Sequence, residues 1–264
     1  MRIIDRGSGV PLVLIPGIQG RWEYLQPAVD ALSRHFRVIT FSLSGERGSG
    51  VAFDPSRGLD NFTTQITSAL DSLHIDQAVI CGVSFGGVAA IRFAAVQPAR
   101  CRALVLVSTP RPGLQLRRKH QIYLRLPWLF GPLFIAETPW RLRKEIRAAL
   151  PDASARRALR RRVVRTFFGA RPSFSLMAAR ARLLADTDLR RDCERIVAPT
   201  LVITGEGGLD HVVPVDGSSE YARLIEGARA VVLERTGHIG CSTRPQEFAD
   251  VIRRFVDDQR HAAA

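Results

Sequence analysis

Cysteine is scarce in this sequence of 264 residues, and no two cysteines have a short spacing. Cys81, Cys101, Cys193 and Cys241 lie far apart, without a C-x-x-C motif. We therefore expect reduced, mostly buried thiols rather than a disulfide framework. The six histidines are scattered, and no two flank a glutamate at i, i+4. These spacings predict no metal site and no metal cofactor.

Long apolar runs are also lacking. No stretch approaches the roughly 18 consecutive apolar residues of a membrane-spanning helix. Met1 leads into Arg2 and Asp5 without the apolar segment of a signal peptide. The hydrophobic fraction of 46% and the charged fraction of 24% are ordinary for a globular protein. We expect a cytoplasmic protein with one large core.

Lysine is nearly absent, since Lys119 and Lys144 are the only two, and arginine supplies almost all positive charge. The net charge is +13, and residues 110–198 alone carry 21 Lys plus Arg against 7 Asp plus Glu. Codon bias explains a preference for arginine. It does not explain why the basic residues gather in one third of the chain.

Apolar runs with strand character alternate with helical patterns over the first hundred residues. The predicted strands are 11–15, 36–41, 78–81, 103–107, 199–204 and 230–233. Such strand–helix–strand repetition predicts a parallel sheet with helices on both faces. The alternation stops at residues 110–198, hereafter the helical segment, where five prolines separate short pieces and helices are predicted at 139–150 and 154–168. We predict a core of 1–109 and 199–264, interrupted by a basic helical insertion at 110–198.

The strongest chemical signal is G-x-S-x-G at residues 82–86, where a predicted strand meets a predicted helix. The central Ser84 would stand on a sharp turn at the carboxyl edge of the sheet, which requires small residues on either side. We predict Ser84 as a nucleophile. A glycine-rich turn with an ordinary capping serine is the alternative.

A serine hydroxyl needs a base, and the base needs an orienting carboxylate. His238 follows the last predicted strand and is the predicted base, with His211 as its rival. Asp210, in the loop after strand 199–204, is the predicted acid, and Glu206 in the same loop is the fallback. The order Ser84, Asp210, His238 is the one that the nucleophile-elbow architecture uses.

The negative charge that develops on the acyl oxygen needs N–H donors. We predict the backbone N–H groups of Phe85 and of Ile18, the latter in loop 16–20 (the oxyanion loop below). The side chain of Gln19 could help instead. Gln19, Trp128 and Trp140 are predicted to contact substrate, although core packing is the competing role for the tryptophans.

These motifs together resemble the α/β-hydrolase superfamily, in particular its small capped esterases, lactonases, thioesterases and C–C bond hydrolases. The resemblance implies an eight-stranded mostly parallel sheet, a helical cap inserted after strand six, and a triad of Ser84, Asp210 and His238. A serine nucleophile is unlike the dehalogenase and epoxide hydrolase branches, which use Asp.

The sequence departs from its relatives in three places. Many have His-Gly where this chain has Pro16-Gly17, and many have an Asp in the loop that here spans residues 42–49. The loop that holds Asp210 is two residues longer than the common form.

The charge of the helical segment is consistent with an anionic acyl substrate, such as an acyl-CoA or an acyl group on an acidic carrier protein, or with contact to an anionic membrane surface. A solvated arginine-rich helix is the simpler explanation. Nucleic acid is not expected, because no aromatic residues interleave with the arginines.

The predicted function is hydrolysis of a carboxylic ester or thioester through an acyl-Ser84 intermediate, without a cofactor. Acyl transfer or C–C cleavage by the same triad is a second possibility. A hydrolase-fold protein that binds a ligand with little turnover is a third.

Overall fold

A parallel sheet forms the centre of the computed structural model, which describes residues 1–116 and 118–262. Its strands are β1 (Ile4–Arg6), β2 (Pro11–Ile15), β3 (Arg37–Thr40), β4 (Ala78–Val83), β5 (Cys101–Val107), β6 (Thr200–Thr204) and β7 (Arg229–Val232). The spatial order is β1-β3-β2-β4-β5-β6-β7. Only β1 runs antiparallel to its neighbour, β3, and all other pairs are parallel.

The prediction of eight strands, with an insertion after the sixth, is wrong in this detail. The described residues form seven strands, and the helical segment lies between β5 and β6. β1 is itself only three residues long and pairs with β3.

Fourteen α-helices are present among the described residues. They are α1 (Gln26–Leu32), α2 (Asp60–Ser72), α3 (Phe85–Val96), α4 (Arg118–Arg125), α5 (Pro127–Ala136), α6 (Thr138–Arg141), α7 (Arg143–Ala149), α8 (Ala153–Gly169), α9 (Phe174–Asp186), α10 (Arg190–Cys193), α11 (Val215–Ser219), α12 (Tyr221–Leu224), α13 (Gly240–Thr243) and α14 (Pro245–Ala262). Short 3-10 turns occur at Trp22–Leu25, Pro55–Arg57 and Pro98–Arg100.

Side chains alternate between the two faces of the sheet and form two apolar layers. From β2, Leu12 and Leu14 face the layer that contains α1 and α14. Val13 and Ile15 face the layer that contains α2 and α3. Both sets are fully buried, as expected for a parallel strand covered on both sides.

The described part of the helical segment contains helices α4 to α10 and no strand. Three of them contact elements at the carboxyl edge of the sheet: α7 contacts α13, α8 contacts the turn Trp22–Leu25, and α9 contacts α3. The last helix, α10, packs on α3, and Leu189 and Cys193 belong to the core layer. Residues near the end of the segment are therefore part of the core.

Two further features bear on the composition. All four cysteines are buried, and none forms a disulfide. None of the described helices combines the length and the apolar character needed to cross a bilayer.

Candidate active site

Ser84 lies between the end of β4 and the start of α3, in a strained backbone conformation. Its φ of 54° and ψ of −120° are unusual for a residue with a side chain. The N–H of Ser84 donates to Val107 O at 2.8 Å, and its carbonyl accepts from Gly87 N at 2.9 Å. Such strain, of order 1–3 kcal/mol, persists only where the surroundings fix it.

The glycines around Ser84 are required by close backbone contacts. A Cβ on Gly82 would lie 2.2 Å from the carbonyl oxygen of Gly86. A Cβ on Gly86 would lie 2.3 Å from the carbonyl oxygen of Ile15. Neither distance is sterically possible, so the turn depends on both glycines, as the motif predicted.

Asp210 and His238 meet at the same edge of the sheet. Asp210 follows β6 and His238 follows β7, and His238 Nδ1 is 3.3 Å from Asp210 Oδ2. The other carboxylate oxygen, Oδ1, accepts from the N–H groups of Val212 (2.9 Å) and Val213 (2.8 Å). The Asp210 side chain is 1% exposed and that of His238 14% exposed. A fixed, buried carboxylate is therefore placed to orient the imidazole.

The rival residues do not occupy these positions. Glu206 is exposed, and its Oε1 accepts from the N–H of Arg235 at 2.6 Å. His211 is exposed beside Asp210. The contact with Asp210 is made by His238 alone among the described histidines.

The Ser84 hydroxyl makes no hydrogen bond to any described residue, including His238. Ser84 and His238 are both partly exposed, and both follow carboxyl ends of parallel strands. In enzymes without substrate, such hydrogen bonds are often long and tighten only in the complex.

The oxyanion loop, residues 16–20, lies against Ser84. A Cβ on Gly17 would be 3.4 Å from Ser84 Cβ. The loop is closed by Gly20 N donating to Gly17 O at 2.8 Å. Among the described residues, the N–H groups of Ile18 and Phe85 donate to no acceptor. Both are therefore available to a developing oxyanion.

A buried ion pair from α9 holds this loop. Arg180 Nη1 donates to Ile18 O at 3.0 Å and to Glu46 Oε1 at 2.8 Å. Its Nη2 donates to Ser44 O at 3.3 Å. Both charged side chains are 1% exposed, and Glu46 Oε2 also accepts from Ser173 N at 3.1 Å. The helical segment is thus fastened to the oxyanion loop.

A second buried charge, on Glu145 of α7, contacts the loop that holds His238. Glu145 is fully buried, and its Oε1 accepts from the N–H of Ile239 at 2.8 Å. Its Oε2 has no partner among the described residues. Burial raises the pKa of Glu145 to about 7, against the lowering effect of the Gly237 and Ile239 N–H groups and of His238.

Sequence reasoning missed both buried charges, although a signal was present. Arg180 lies three residues after Met177 and four before Leu184, both buried, so it falls on the apolar face of α9. Glu145 lies three residues after Leu142 and four before Ala149, which are also buried. A charge on an apolar helical face indicates a buried partner.

The predicted substrate-contacting residues differ in how exposed they are. Trp128 is 69% and Trp140 is 72% exposed, so neither packs in the core, and their contact with substrate stays a prediction. Trp128 belongs to α5, which is apolar all round, packs on α4, α6 and α9, and has no buried residue among those described. The ring of Trp140 is covered instead by Arg143, 4.3 Å from its centroid. Gln19 is half-buried in the oxyanion loop, and its role stays a prediction.

The described residues contain no group of three or more His, Cys, Asp or Glu side chains that could hold a metal ion. The groups described at this edge are a hydroxyl, an imidazole, a carboxylate and backbone N–H groups.

Comparison with known proteins agrees with this geometry. The family model described as "Alpha/beta hydrolase family" matches residues 12–251. The chain is 27% identical to a poly(3-hydroxyalkanoate) depolymerase from Ectopseudomonas oleovorans, over 96% of this chain and 86% of the relative. It is 30% identical to a 2-hydroxy-6-oxo-2,4-heptadienoate hydrolase from Pseudomonas putida, over 96% of this chain and 91% of the relative.

A solved structure shows the same fold. The enol-lactonase from Burkholderia xenovorans superposes with a TM-score of 0.78 at 24% identity, covering 97% of this chain and 96% of the other. The sheet, the site and the family match lead to one conclusion: the chain is a hydrolase that belongs to the α/β hydrolase family.

Proposed function

We propose that this protein hydrolyses a carboxylic ester or thioester through an acyl intermediate on Ser84. The observation that carries the proposal is the contact between buried Asp210 and His238 at the edge where Ser84 stands on its strained turn. Relatives named as a depolymerase and a hydrolase support the reaction class.

The proposed reaction has two halves. His238 removes the proton of Ser84, whose oxygen attacks the acyl carbon, and His238 then gives that proton to the departing alcohol or thiol. Water next attacks the acyl-enzyme with His238 again as base, which releases the acid and restores the serine. Asp210 stabilises the imidazolium in both halves. The N–H groups of Ile18 and Phe85 stabilise the oxyanion, at about 3–4 kcal/mol for a lost donor.

Replacement of the nucleophile tests this proposal. We expect the protein to react covalently with a fluorophosphonate probe and to hydrolyse p-nitrophenyl butyrate, and Ser84→Ala to do neither. Ser242→Ala is a matched control, since Ser242 also lies at a short helix near the site but bonds Tyr24 O at 3.4 Å. Probe labelling that persists in Ser84→Ala would contradict the assignment.

A substrate panel separates the remaining activities. It should contain esters and thioesters of several chain lengths, lactones, poly(3-hydroxyalkanoate) and 2-hydroxy-6-oxo-2,4-heptadienoate, with and without an added alcohol acceptor. Ester or thioester cleavage to the free acid supports the proposal. Transfer of the acyl group to the alcohol would replace the proposed hydrolysis with acyl transfer. Turnover of the dienoate alone would replace it with the reaction for which the Pseudomonas putida relative is named.

A further inference from the structure

Four arginines line a cavity of about 400 Å³ beside the oxyanion loop. This arginine cavity is lined by Arg2, Arg21, Arg47 and Arg171, together with Glu23. Four guanidinium groups against one carboxylate give the cavity wall a strong positive potential. The volume lies within the range of small-molecule sites and is generous for a lone inorganic ion.

The positive charge is largely uncompensated. Arg21 pairs with Glu23 at 2.5 Å and also donates to the carbonyl of Arg47. Arg2, Arg47 and Arg171 form no ion pair with any carboxylate in the described part of the chain. Such a cluster repels itself unless an anion occupies it.

Arg21 is the one buried arginine of the cavity. The residue is only 8% exposed, and its Nε has no hydrogen-bond partner among the described residues. The other nitrogens of Arg21 donate to Arg47 O and to Glu23, which fixes this guanidinium in the cavity wall, while the exposed Arg2, Arg47 and Arg171 remain able to bind an anion. Arginine is suited to this task because its planar donors match phosphate oxygens in pairs.

Two aromatic side chains also line the cavity, together with Ser42, Gly48, Gly169 and Ala170. Trp22 is half-buried against the core, and Phe168, at the end of α8, is 71% exposed at the rim. Flat aromatic surfaces beside arginines suit a heterocyclic base carrying phosphate better than they suit phosphate alone.

The cavity adjoins the catalytic machinery along the chain. Arg21 directly follows Gly20, the last residue of the oxyanion loop. Arg47 directly follows Glu46, which binds Arg180, and Arg180 in turn binds Ile18 O. A group held in the arginine cavity is therefore held next to the loop that would stabilise the reacting carbonyl.

We propose that the arginine cavity binds the nucleoside diphosphate part of an acyl thioester substrate. This assignment rests on the proposed function. In the reaction, Ser84 Oγ bonds to the acyl carbon as the C–S bond breaks. The thiol leaves with the proton from His238, and water then releases the acid. The phosphates stay in the arginine cavity and hold the thiol arm toward Ser84.

Binding of ADP to the intact protein tests the site without turnover. Isothermal titration should show ADP binding more tightly than inorganic phosphate or adenosine. The double variant Arg47→Gln/Arg171→Gln should weaken ADP binding about tenfold or more, since two charge-assisted contacts are lost. Both residues are exposed, so the variant should fold. The matched control is Arg102→Gln, an exposed arginine at the amino end of β5 and so at the opposite edge of the sheet.

A kinetic measurement links the cavity to the reaction. The ratio of kcat/KM for butyryl-CoA to that for p-nitrophenyl butyrate should fall about tenfold in the double variant and stay constant in Arg102→Gln. Phosphatidylglycerol–phosphatidylcholine vesicles form a separate arm. Vesicle binding that depends on Arg47 and Arg171, without ADP binding, would overturn the nucleotide assignment in favour of a lipid headgroup.

Other outcomes would overturn either the cavity assignment or the proposed function. Equal affinity for phosphate and ADP, or unchanged ADP affinity in the double variant, overturns the proposal. If p-nitrophenyl butyrate is hydrolysed in a Ser84-dependent way but ADP does not bind, the serine mechanism stands and the cavity assignment fails. If ADP binds with the expected arginine dependence but no ester is cleaved, the proposed function fails and only the binding site remains.

Discussion

Glu145 is a single side chain whose ionisation the fold alters next to the candidate site. Its carboxyl is fully buried, with one oxygen bonded to Ile239 N and the other without a partner among the described residues. Burial favours the neutral acid, and its pKa is raised to about 7 from the usual 4.5. The folded state thus holds this proton at a pH at which the unfolded chain has released it.

We therefore expect Glu145→Gln to change how stability depends on pH. Because the folded pKa is raised, the wild-type protein loses stability as pH rises from about 4.5 to about 7, by up to about 3 kcal/mol from this group. Glutamine cannot ionise and avoids that loss. Thermal unfolding should give similar melting temperatures for both proteins at pH 5, and a higher value for Glu145→Gln at pH 8. A constant difference across this range would contradict the raised pKa.

Asp210 and Glu206 lie in one loop, and we expect a large loss of kcat when Asp210 is replaced but little change when Glu206 is replaced. Asp210→Asn leaves the shape of the site but removes the charge that orients His238, so kcat should fall by about four orders of magnitude. Glu206→Gln should stay within about twofold, since Glu206 is exposed and bonds only Arg235 N. Steady-state kinetics with p-nitrophenyl butyrate measures both. A large loss in Glu206→Gln instead would move the acid to Glu206.

At this scale the sequence predicts the polar residues that follow strands and misses those on helical faces. Ser84 comes directly after an apolar run, Asp210 and His238 follow theirs after a short loop, and parallel strands bring such positions to one edge. Arg180 and Glu145 are surrounded in sequence by other charges, such as Arg182 and Lys144. Their spacing to apolar residues places them on the apolar helical faces, but the neighbouring charges obscure this signal, and the partners they bind lie far away in sequence.

Hydrogen bonds connect helix α9 to the oxyanion loop. Arg180 on α9 binds Ile18 O in the loop and Glu46 in the segment after β3. We expect the position of the Ile18 N–H, the proposed oxyanion donor, to depend on this side chain from the helical segment. We therefore infer that Arg180 is a positioning residue.

Arg180→Met should destabilise the protein and impair catalysis together. It leaves the Glu46 carboxylate buried without its cation, which costs about 3–5 kcal/mol. Arg180→Met/Glu46→Gln removes both charges and should recover much of the stability. It should not recover kcat, because Ile18 O still lacks its donor. Urea denaturation and kcat for p-nitrophenyl butyrate distinguish these effects, and full recovery of kcat in the double variant would exclude the positioning role.

Elements differ in how well the sequence predicts them. The bounds of β2 agree with prediction at both ends, since Pro11 and Pro16 delimit a purely apolar run. Helices α4, α5 and α9 were not predicted. Pro127 and Pro132 suggest interruption, yet Pro127 lies in the first turn of α5, where proline is tolerated, and Pro132 lies inside α5. Strand β1 was missed because it is short and half-exposed.

Across the whole molecule, positive charge is concentrated on one side of the reaction site. The helical segment carries the excess, and most arginines of α8 are exposed. Three helices of that segment contact elements at the carboxyl edge of the sheet, where Ser84 and His238 lie. An anionic substrate that approaches this edge is therefore attracted before it makes any contact.

This arrangement predicts a salt dependence that varies with the charge of the substrate. The electrostatic screening length falls from about 20 Å at 20 mM NaCl to about 5 Å at 300 mM NaCl. Over this range, kcat/KM for butyryl-CoA should fall several-fold. The value for neutral p-nitrophenyl butyrate should change little. Stopped-flow or steady-state assays at matched pH give both values. Parallel salt curves for the two substrates would show that the charge does not act on substrate capture.

The two buried charges of the helical segment also restrict how substrate enters. Lifting the whole segment off the sheet would separate Arg180 from Glu46 and Glu145 from the Ile239 N–H, which costs about 3–5 kcal/mol for the ion pair alone. In contrast, α5 has no buried residue among those described, and it packs on α9 through contacts such as that between Gly131 and Phe174 rather than through a buried ion pair. We expect substrate to enter when helices α4 to α6 move, while α7 and α9 keep their contacts with the core.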